Sequence, residues 1–239
     1  MRPRSVPSVQ SQRLQHRLLV HHLPLLIASA LSVAALYSTR PYPDVISRAS
    51  FATAYPALVL LTITLLIGPW NVLRKRRNPV SSDLRRDIAI WAGILSIVHS
   101  VVGQNVHLRG RPWLYYVVET KQHHFVPALN RFGFSNYAGL ISALFIIALL
   151  ATSNDYSLRA LGTPRWKQLQ RWNYAAFALA AAHTIGYQIP EKKALAFHLT
   201  AYVCIGITLA LQATGFIRRR AVATEADATS TEQKNLASR

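Results

Sequence analysis

The sequence predicts an all-α protein, a polytopic membrane bundle of six transmembrane helices with both termini in the cytoplasm. Six uncharged apolar stretches have about the 20-residue length that a helix needs to cross a bilayer. Of the 239 residues, 51% are hydrophobic and only 15% are charged, which excludes intrinsic disorder for most of the chain. The cations are also unevenly placed, because 19 of the 27 Lys and Arg residues fall in segments that this topology assigns to the cytoplasm.

The six predicted spans follow one another along the chain and are separated by polar or basic segments. They cover residues 18–37, 49–68, 88–107, 133–151, 172–189 and 195–217. The first apolar run is longer than that of a signal peptide, so we expect it to remain as a span. The chain then divides into a cytoplasmic tail over 1–17, one membrane domain over 18–217 and a disordered cytoplasmic tail over 218–239.

The net charge of +18 is explained by this topology and does not require a nucleic-acid partner. A nucleic-acid-binding protein carries its cations among polar residues, whereas here they lie between apolar runs. The basic runs at 74–77 and 218–220 are expected to contact anionic lipid headgroups at the cytoplasmic face. The charge distribution therefore predicts an integral membrane protein with the lipid bilayer as its first partner, and the expected location is a bacterial-type plasma membrane.

Two histidines are predicted to lie well inside the membrane. His99 is 11 residues beyond Ile88, and His183 is 11 residues beyond Trp172. Both spans run outward from the cytoplasm, so each imidazole lies about 16 Å from the cytoplasmic boundary at 1.5 Å per residue. Ionisable residues at such a depth mark a function by default, and two neutral imidazoles at one depth suit the axial positions of a haem iron. His99 and His183 are therefore candidate iron ligands, with packed, hydrogen-bonded core histidines as the alternative.

Small and hydroxylated residues accompany this pair. The small residues at nearby depths are Gly93, Gly103, Ala181, Ala182 and Gly186. They could leave room for a macrocycle, although ordinary contacts between membrane helices also use small residues. The candidate hydrogen-bond partners of the other ring nitrogens are Ser96, Ser100 and Thr184. His107 and His198 near the outer ends are minority candidates for a haem-propionate or substrate-side group, and a structural role is favoured for both.

At these residues the chain resembles the ferric-reductase-like transmembrane family, which includes ferric reductases, NADPH oxidases and bacterial YedZ/MsrQ haem subunits. The resemblance depends on residues 85–93, which lead into His99, and on residues 166–174, which lead to His183. It covers roughly residues 55–188. It implies a membrane cytochrome b that carries electrons through a bis-His haem to an acceptor on the outer side, as a ferric-reductase-like oxidoreductase component.

The resemblance also bears on the number of haems. Family members often hold a second, inner haem, and the positions that would ligate it here are Arg85 and Gln170. An always-charged guanidinium is a poor iron ligand. The YedZ-like branch also has Arg at the first position, whereas Gln170 departs from its His. The resemblance therefore implies one haem b at His99 and His183, and a quinol or flavin near Arg85 and Gln170 is a hypothesis for electron entry.

The remaining expectations concern partners. No Gly-x-Gly-x-x-Gly sequence follows a predicted strand, so we expect a separate electron donor, either a reductase protein or a quinol. The outer segment 108–132 contains Arg109 and Arg111, which could clamp a propionate or help to dock an acceptor protein, although interfacial anchoring is the simpler explanation. No catalytic residue is predicted. The alternative function is a transporter or proton-relay membrane protein without haem.

Overall fold

The computed structural model describes residues 9–39, 42–74, 82–107, 111–188 and 195–237, which are helical apart from one hairpin and short connections. The helices are α1 (Val9–His16), which continues through a π-helical turn (Arg17–His22) into α2 (Leu23–Ser38), then α3 (Val45–Leu73), α4 (Ser82–Gly103), α5 (Arg131–Ala151), α6 (Asp155–Gln170), α7 (Asn173–Gln188) and α8 (Leu195–Ala237). Between α4 and α5, a 3₁₀ turn at Pro112–Tyr115 precedes the antiparallel strands β1 (Val117–Glu119) and β2 (Phe125–Pro127).

Within the described residues, five helical segments are long and apolar enough to cross a membrane. They are Leu14–Ser38, Val45–Leu73, Asp83–Gly103, Arg131–Ala151 and Leu195–Ala221. The prediction of an all-α membrane bundle is confirmed at this level. The remaining predicted span corresponds to α7, which has 16 residues and is therefore about 24 Å long at 1.5 Å per residue. Its predicted end at Ile189 lies outside the described residues, so the sixth span stays a prediction.

Polar caps determine where the helices of the site begin. The Asp44 carboxylate accepts hydrogen bonds of 2.9 Å from the amides of Ile46 and Ser47 at the start of α3. The Ser47 hydroxyl and these two amides lower the pKa of Asp44. The Asn130 side chain accepts from the Gly133 amide at 2.8 Å and caps α5 in the same way. Each cap fixes the residue at which a helix begins, and the first turns of both helices contribute to the candidate site.

The membrane helices pack as two pairs. α4 lies mainly against α3, α7 lies mainly against α5, and contacts between α4 and α5 join the pairs. α3 is the most enclosed helix, because α2 and α8 also pack on it. An aromatic cluster of Phe51, Tyr55 and Phe197, with ring centroids 4.8–5.2 Å apart, holds α8 against α3. A space between the two pairs can therefore be lined by all four helices.

The last helix differs from the expectation for the C-terminal tail. The sequence predicts disorder over 218–239, whereas α8 continues to Ala237. Residues 216–237 contain neither Gly nor Pro and include several alanines. Because alanine is the best helix former and no residue here breaks a helix, α8 continues beyond its apolar part without interruption.

Candidate cofactor site

The site centres on two imidazole rings from different helix pairs. The ring centroids of His99 on α4 and His183 on α7 are 6.2 Å apart, with an interplanar angle of 69°. With metal–nitrogen bonds of about 2 Å, and ring centroids about 1 Å beyond each nitrogen, two imidazoles on opposite sides of one metal ion have centroids about 6 Å apart. The observed spacing of 6.2 Å matches this value.

Both rings are oriented by main-chain carbonyl groups of the neighbouring helix. His99 Nδ1 lies 2.9 Å from the Ser50 carbonyl oxygen on α3, and His183 Nδ1 lies 2.8 Å from the Ser135 carbonyl oxygen on α5. A carbonyl oxygen only accepts hydrogen bonds, so each Nδ1 donates its proton. In a neutral ring, Nε2 then carries the lone pair. Metal-binding histidines typically donate their second ring nitrogen to a carbonyl or carboxylate in this manner.

The sequence predicted Ser96, Ser100 and Thr184 as hydrogen-bond partners of the two Nδ1 atoms, and this prediction is wrong. The Ser96 hydroxyl donates to the Ala92 carbonyl at 2.7 Å, and the Ser100 hydroxyl donates to the Ser96 carbonyl at 2.8 Å. Helical serines often bond to the carbonyl four residues earlier, which removes them as partners for a neighbouring ring. Thr184 lines the adjoining cavity, but the partner of the His183 Nδ1 is the Ser135 carbonyl.

Each accepting serine is followed, one helical turn later, by a very small residue. Ala54 follows Ser50, and Gly139 follows Ser135. The imidazole must lie over that turn to reach the carbonyl, and a Cβ built at Gly139 would lie only 2.5 Å from His183 Nδ1. Glycine is therefore needed at 139 for His183 to approach α5.

Of the predicted small residues, one glycine lines the cavity and two others allow close contact between helices. Gly103 lines the cavity beside His99. A Cβ at Gly186 would lie 1.9 Å from the Ser135 Oγ, so this glycine allows α7 to approach α5 closely. Gly93 instead packs on Leu150. The space near the rings thus depends on Gly103 and Gly139 more than on the other two.

A cavity of about 480 Å³ lies between the helix pairs and includes both rings in its wall. This is within the usual size range of small-molecule and cofactor sites, roughly 300–1,000 Å³. One end is apolar, with walls that include Leu58, Leu61, Ala143 and Ile146. The other end lies toward the hairpin and is polar, with walls that include Tyr42, Gln104, His107, Tyr116, Asn136 and Gln188. A mainly apolar molecule with one polar edge fits this distribution of wall residues.

A hydrogen-bonded network covers the hairpin end. The Tyr187 hydroxyl donates to Asn136 Oδ1 at 2.6 Å, and the Asn136 amide lies 3.4 Å from the Tyr115 carbonyl oxygen. The Tyr115 hydroxyl in turn donates to the Gly103 carbonyl at 3.1 Å and accepts from the His107 amide at 2.9 Å. Burial raises the pKa of Tyr115, so its hydroxyl stays protonated as this donor. The network ties the 3₁₀ turn to α4, α5 and α7.

The other residues proposed from the sequence do not meet at the cavity. Arg85 Nε donates to the Thr64 carbonyl on α3 at 3.2 Å. The Gln170 amide lies 3.4 Å from Thr152 Oγ1 at the end of α5. Neither Arg85 nor Gln170 is in the cavity wall, and Arg109 lies outside the described residues.

A buried ionic cluster, named here the Asp87 cluster, was missed by sequence reasoning. The Asp87 side chain is 0% exposed and is bonded by Arg17, by His21 Nδ1 at 2.8 Å and by His22 Nε2 at 3.3 Å. The π-helical turn brings residues 17, 21 and 22 onto one face, because it has more residues per turn than an α-helix. One signal was available, since Asp87 and Arg17 each directly precede a predicted span on the same side.

Comparison with known proteins gives the following matches. No protein-family model matches the chain. It is 27% identical over 141 residues to the protein-methionine-sulfoxide reductase heme-binding subunit MsrQ of Deinococcus radiodurans, covering 58% of this chain and 61% of that protein. It is 29% identical over 143 residues to the protein of the same name from Yersinia pseudotuberculosis, covering 55% of this chain and 58% of that protein.

The Yersinia pestis protein of this name also matches, at 29% identity over 143 residues and 57% of its length. The chain thus spans about three fifths of the length of the curated relatives it matches. All three relatives carry the same name, and each is a haem-binding subunit by that name. The resemblance predicted from the sequence is confirmed as a similarity: over about 140 residues the chain is similar to curated proteins named as MsrQ heme-binding subunits.

Proposed function

We propose that this protein is a membrane cytochrome b subunit that binds one haem through His99 and His183 and carries electrons toward an acceptor on the outer side. The observation that carries the proposal is the 6.2 Å spacing of two imidazoles whose Nδ1 atoms both face main-chain carbonyls. The names of the curated relatives support haem as the cofactor. The cavity and its single polar end also suit an amphipathic macrocycle.

In this proposal the chain's own residues position the cofactor and exclude water. A haem bound between two histidines supplies a one-electron carrier. His99 and His183 would hold the group through their Nε2 atoms, and a pair of histidine ligands would favour electron transfer over the binding of a small ligand. The carbonyls of Ser50 and Ser135 hold the Nδ1 protons, keep the rings in one tautomer and increase the basicity of Nε2. Apolar walls at the other end keep water from the ring edge.

The proposal includes six spans with both termini in the cytoplasm. The distribution of Lys and Arg supports this orientation. α7 carries His183 and packs on the long helix α5, so the site lies within the bilayer only if α7 does as well. The acceptor is then reached from the hairpin end of the cavity, and the name of the relatives, a subunit of a reductase, supports a protein partner.

The absorption spectrum of the purified protein, recorded before and after dithionite reduction, tests the function. We expect the bands of a low-spin haem b with two nitrogen ligands. A colourless protein from cells with an adequate haem supply would contradict the proposal and favour the rival proton relay.

Electron entry is proposed to occur at the inner end of the bundle, where a quinol or flavin binds near Arg85 and Gln170. The support is the Arg85 side chain, which donates to the Thr64 carbonyl, and the aromatic pair of Phe145 and Trp172, whose ring centroids are 5.3 Å apart.

Replacing Arg85 with leucine should slow haem reduction by a quinol analogue about tenfold, with the dithionite-reduced spectrum unchanged. An unchanged rate would place the donor elsewhere, and Arg159→Leu is a matched control on exposed α6.

Replacing Gly139 with alanine should weaken haem binding. The new Cβ would lie 2.5 Å from His183 Nδ1 and 2.9 Å from Cε1, so the ring must leave its bond to Ser135. Loss of such an orienting bond lowers metal affinity about 10- to 100-fold, which haem content and haem dissociation rate would measure. Gly206→Ala is the matched control, because a Cβ at Gly206 meets nothing within 4 Å. Equal haem retention in the two variants would contradict the proposed role of Gly139.

A further inference from the structure

The polar end of the cavity contains a buried carboxamide that is incompletely bonded. Gln188 lines the cavity and is only 3% exposed. Its Nε2 lies 3.1 Å from the Tyr55 hydroxyl. Among the residues that the structure describes, its Oε1 has no hydrogen-bond partner.

An unpartnered buried amide atom is costly, so it indicates that something else bonds there. Leaving one such group unsatisfied costs about 1–3 kcal/mol. The oxygen and nitrogen of a Gln side chain can be exchanged by a flip of the amide. After the flip, the Tyr55 hydroxyl donates to Oε1, and the NH₂ group is the one that needs an acceptor. In either orientation, one polar atom of the carboxamide is left to bond with a polar group of a molecule bound in the cavity.

A second glutamine lies at the same sequence offset from the other histidine, directly after the end of α4. Gln188 is five residues beyond His183, and Gln104 is five residues beyond His99. At 1.5 Å per residue, both lie about 7.5 Å beyond the imidazoles along their helices, toward the hairpin. Both are in the cavity wall. The two glutamines therefore lie on the hairpin side of the imidazole pair, and both line the cavity.

The charges around this end identify the class of ligand. The described residues of the cavity wall include no Asp, Glu, Lys or Arg. Their polar groups are amides, hydroxyls and imidazoles, which can donate hydrogen bonds and carry no negative charge. No carboxylate of the wall repels an anion, so these donors can bind a carboxylate through charge-assisted hydrogen bonds, which are about twice as strong as neutral ones.

We propose that Gln104 and Gln188 form a carboxylate-binding subsite that receives the two propionate groups of the haem, with Tyr55 holding the Gln188 carboxamide in place. The inference depends on the proposed function, because it needs a macrocycle bound at His99 and His183. It determines the direction of the cofactor: the propionate edge faces the hairpin, and the opposite edge faces Leu61 and Ile146. Gln104 and Gln188 are binding residues, and neither ligates the iron.

The first experiment measures how fast the holoprotein loses haem to an excess of apomyoglobin. Each of the variants Gln188→Leu and Gln104→Leu should lose haem about tenfold faster than the unchanged protein, since each removes a hydrogen bond to a charged group. Gln212→Leu is the matched control. Its amide donates to the Leu65 carbonyl at 2.8 Å, and neither residue is in the cavity wall, so the rate of haem loss should be unchanged.

The second experiment repeats the measurement with haem dimethyl ester, whose propionates carry no charge. The unchanged protein should release the ester about tenfold faster than haem, and Gln188→Leu should add little to that rate. If Gln188→Leu accelerates the loss of both porphyrins equally, the side chain supports only the fold or a water molecule, and the proposal is overturned. An unchanged rate for haem also overturns it.

The outcome is distinguishable from failure of the proposed function. If the function is wrong, the unchanged protein holds neither porphyrin, or it holds them equally well without His99 and His183. If only the subsite is wrong, the variants keep the spectrum of a bis-His haem and the rate of haem loss of the unchanged protein. The resonance Raman bending band of the propionates is a further readout, since it shifts only when their hydrogen bonds change.

Discussion

Replacing either His99 or His183 with alanine should abolish the haem b absorption of the dithionite-reduced protein. Each variant leaves one imidazole of the pair, and the third imidazole of the cavity wall, His107, lies at the hairpin end. The rings lie 6.2 Å apart, too far for one ring to compensate for the other. We expect the haem content per protein to fall at least about tenfold, measured as the pyridine haemochrome.

A matched control for these variants is His198→Ala. His198 is on α8 and stacks on Tyr202 with a centroid distance of 6.5 Å, outside the cavity wall. Its replacement should leave the haem content and the reduced spectrum unchanged. Normal haem content in either His99→Ala or His183→Ala would remove that histidine as a ligand, and loss of haem in His198→Ala would indicate that the assay reports folding.

Replacing the buried Asp87 with alanine should strongly lower the free energy of unfolding. Its carboxylate is 0% exposed, and its partner Arg17 is only 12% exposed. Removing one partner from a buried ion pair costs about 3–5 kcal/mol, because the remaining charge stays buried and unpaired. The change should appear as a lower midpoint of thermal unfolding in detergent, monitored by circular dichroism.

Asp83→Ala provides the comparison for Asp87. Asp83 is 22% exposed and lies 3.7 Å from Arg86, so its loss should lower the midpoint less than the loss of Asp87 does. Asp87→Asn should fall between the two, since it keeps the shape and an acceptor oxygen but not the charge. Equal midpoints for Asp87→Ala and the unchanged protein would show that the Asp87 cluster is not a stabilising element. Haem content in the same samples would reveal whether α4 holds His99 correctly without the cluster.

Much of the candidate site could be predicted because it depends on distances along single helices. The equal 11-residue offsets of His99 and His183 from the start of their spans place them at one depth without knowledge of the packing. Distances along a single helix could not predict which groups accept the hydrogen bonds of the two Nδ1 atoms. Any residue has a carbonyl, so the choice of Ser50 and Ser135 depends on the register between two packed helices.

Gly139 and Asp87 illustrate two further limits. Gly139 is one of several small residues in apolar spans, and only the contact with the His183 ring distinguishes it. Asp87 directly precedes a predicted span and resembles an ordinary boundary residue. Its burial arises because the π-helical turn of the first helix folds over it, and this contact joins residues 66 positions apart.

The sequence by itself determined the helical class, most of the spans and the pair of histidines, because apolar length, charge distribution and helical rise are local quantities. Only the tertiary structure decided that α4 and α7 face each other across one cavity, which carbonyls orient the rings and which end of the cavity is polar. Those features depend on how segments distant in the chain pack together. Close packing between helices is set by side-chain shape and register, which no single helix contains.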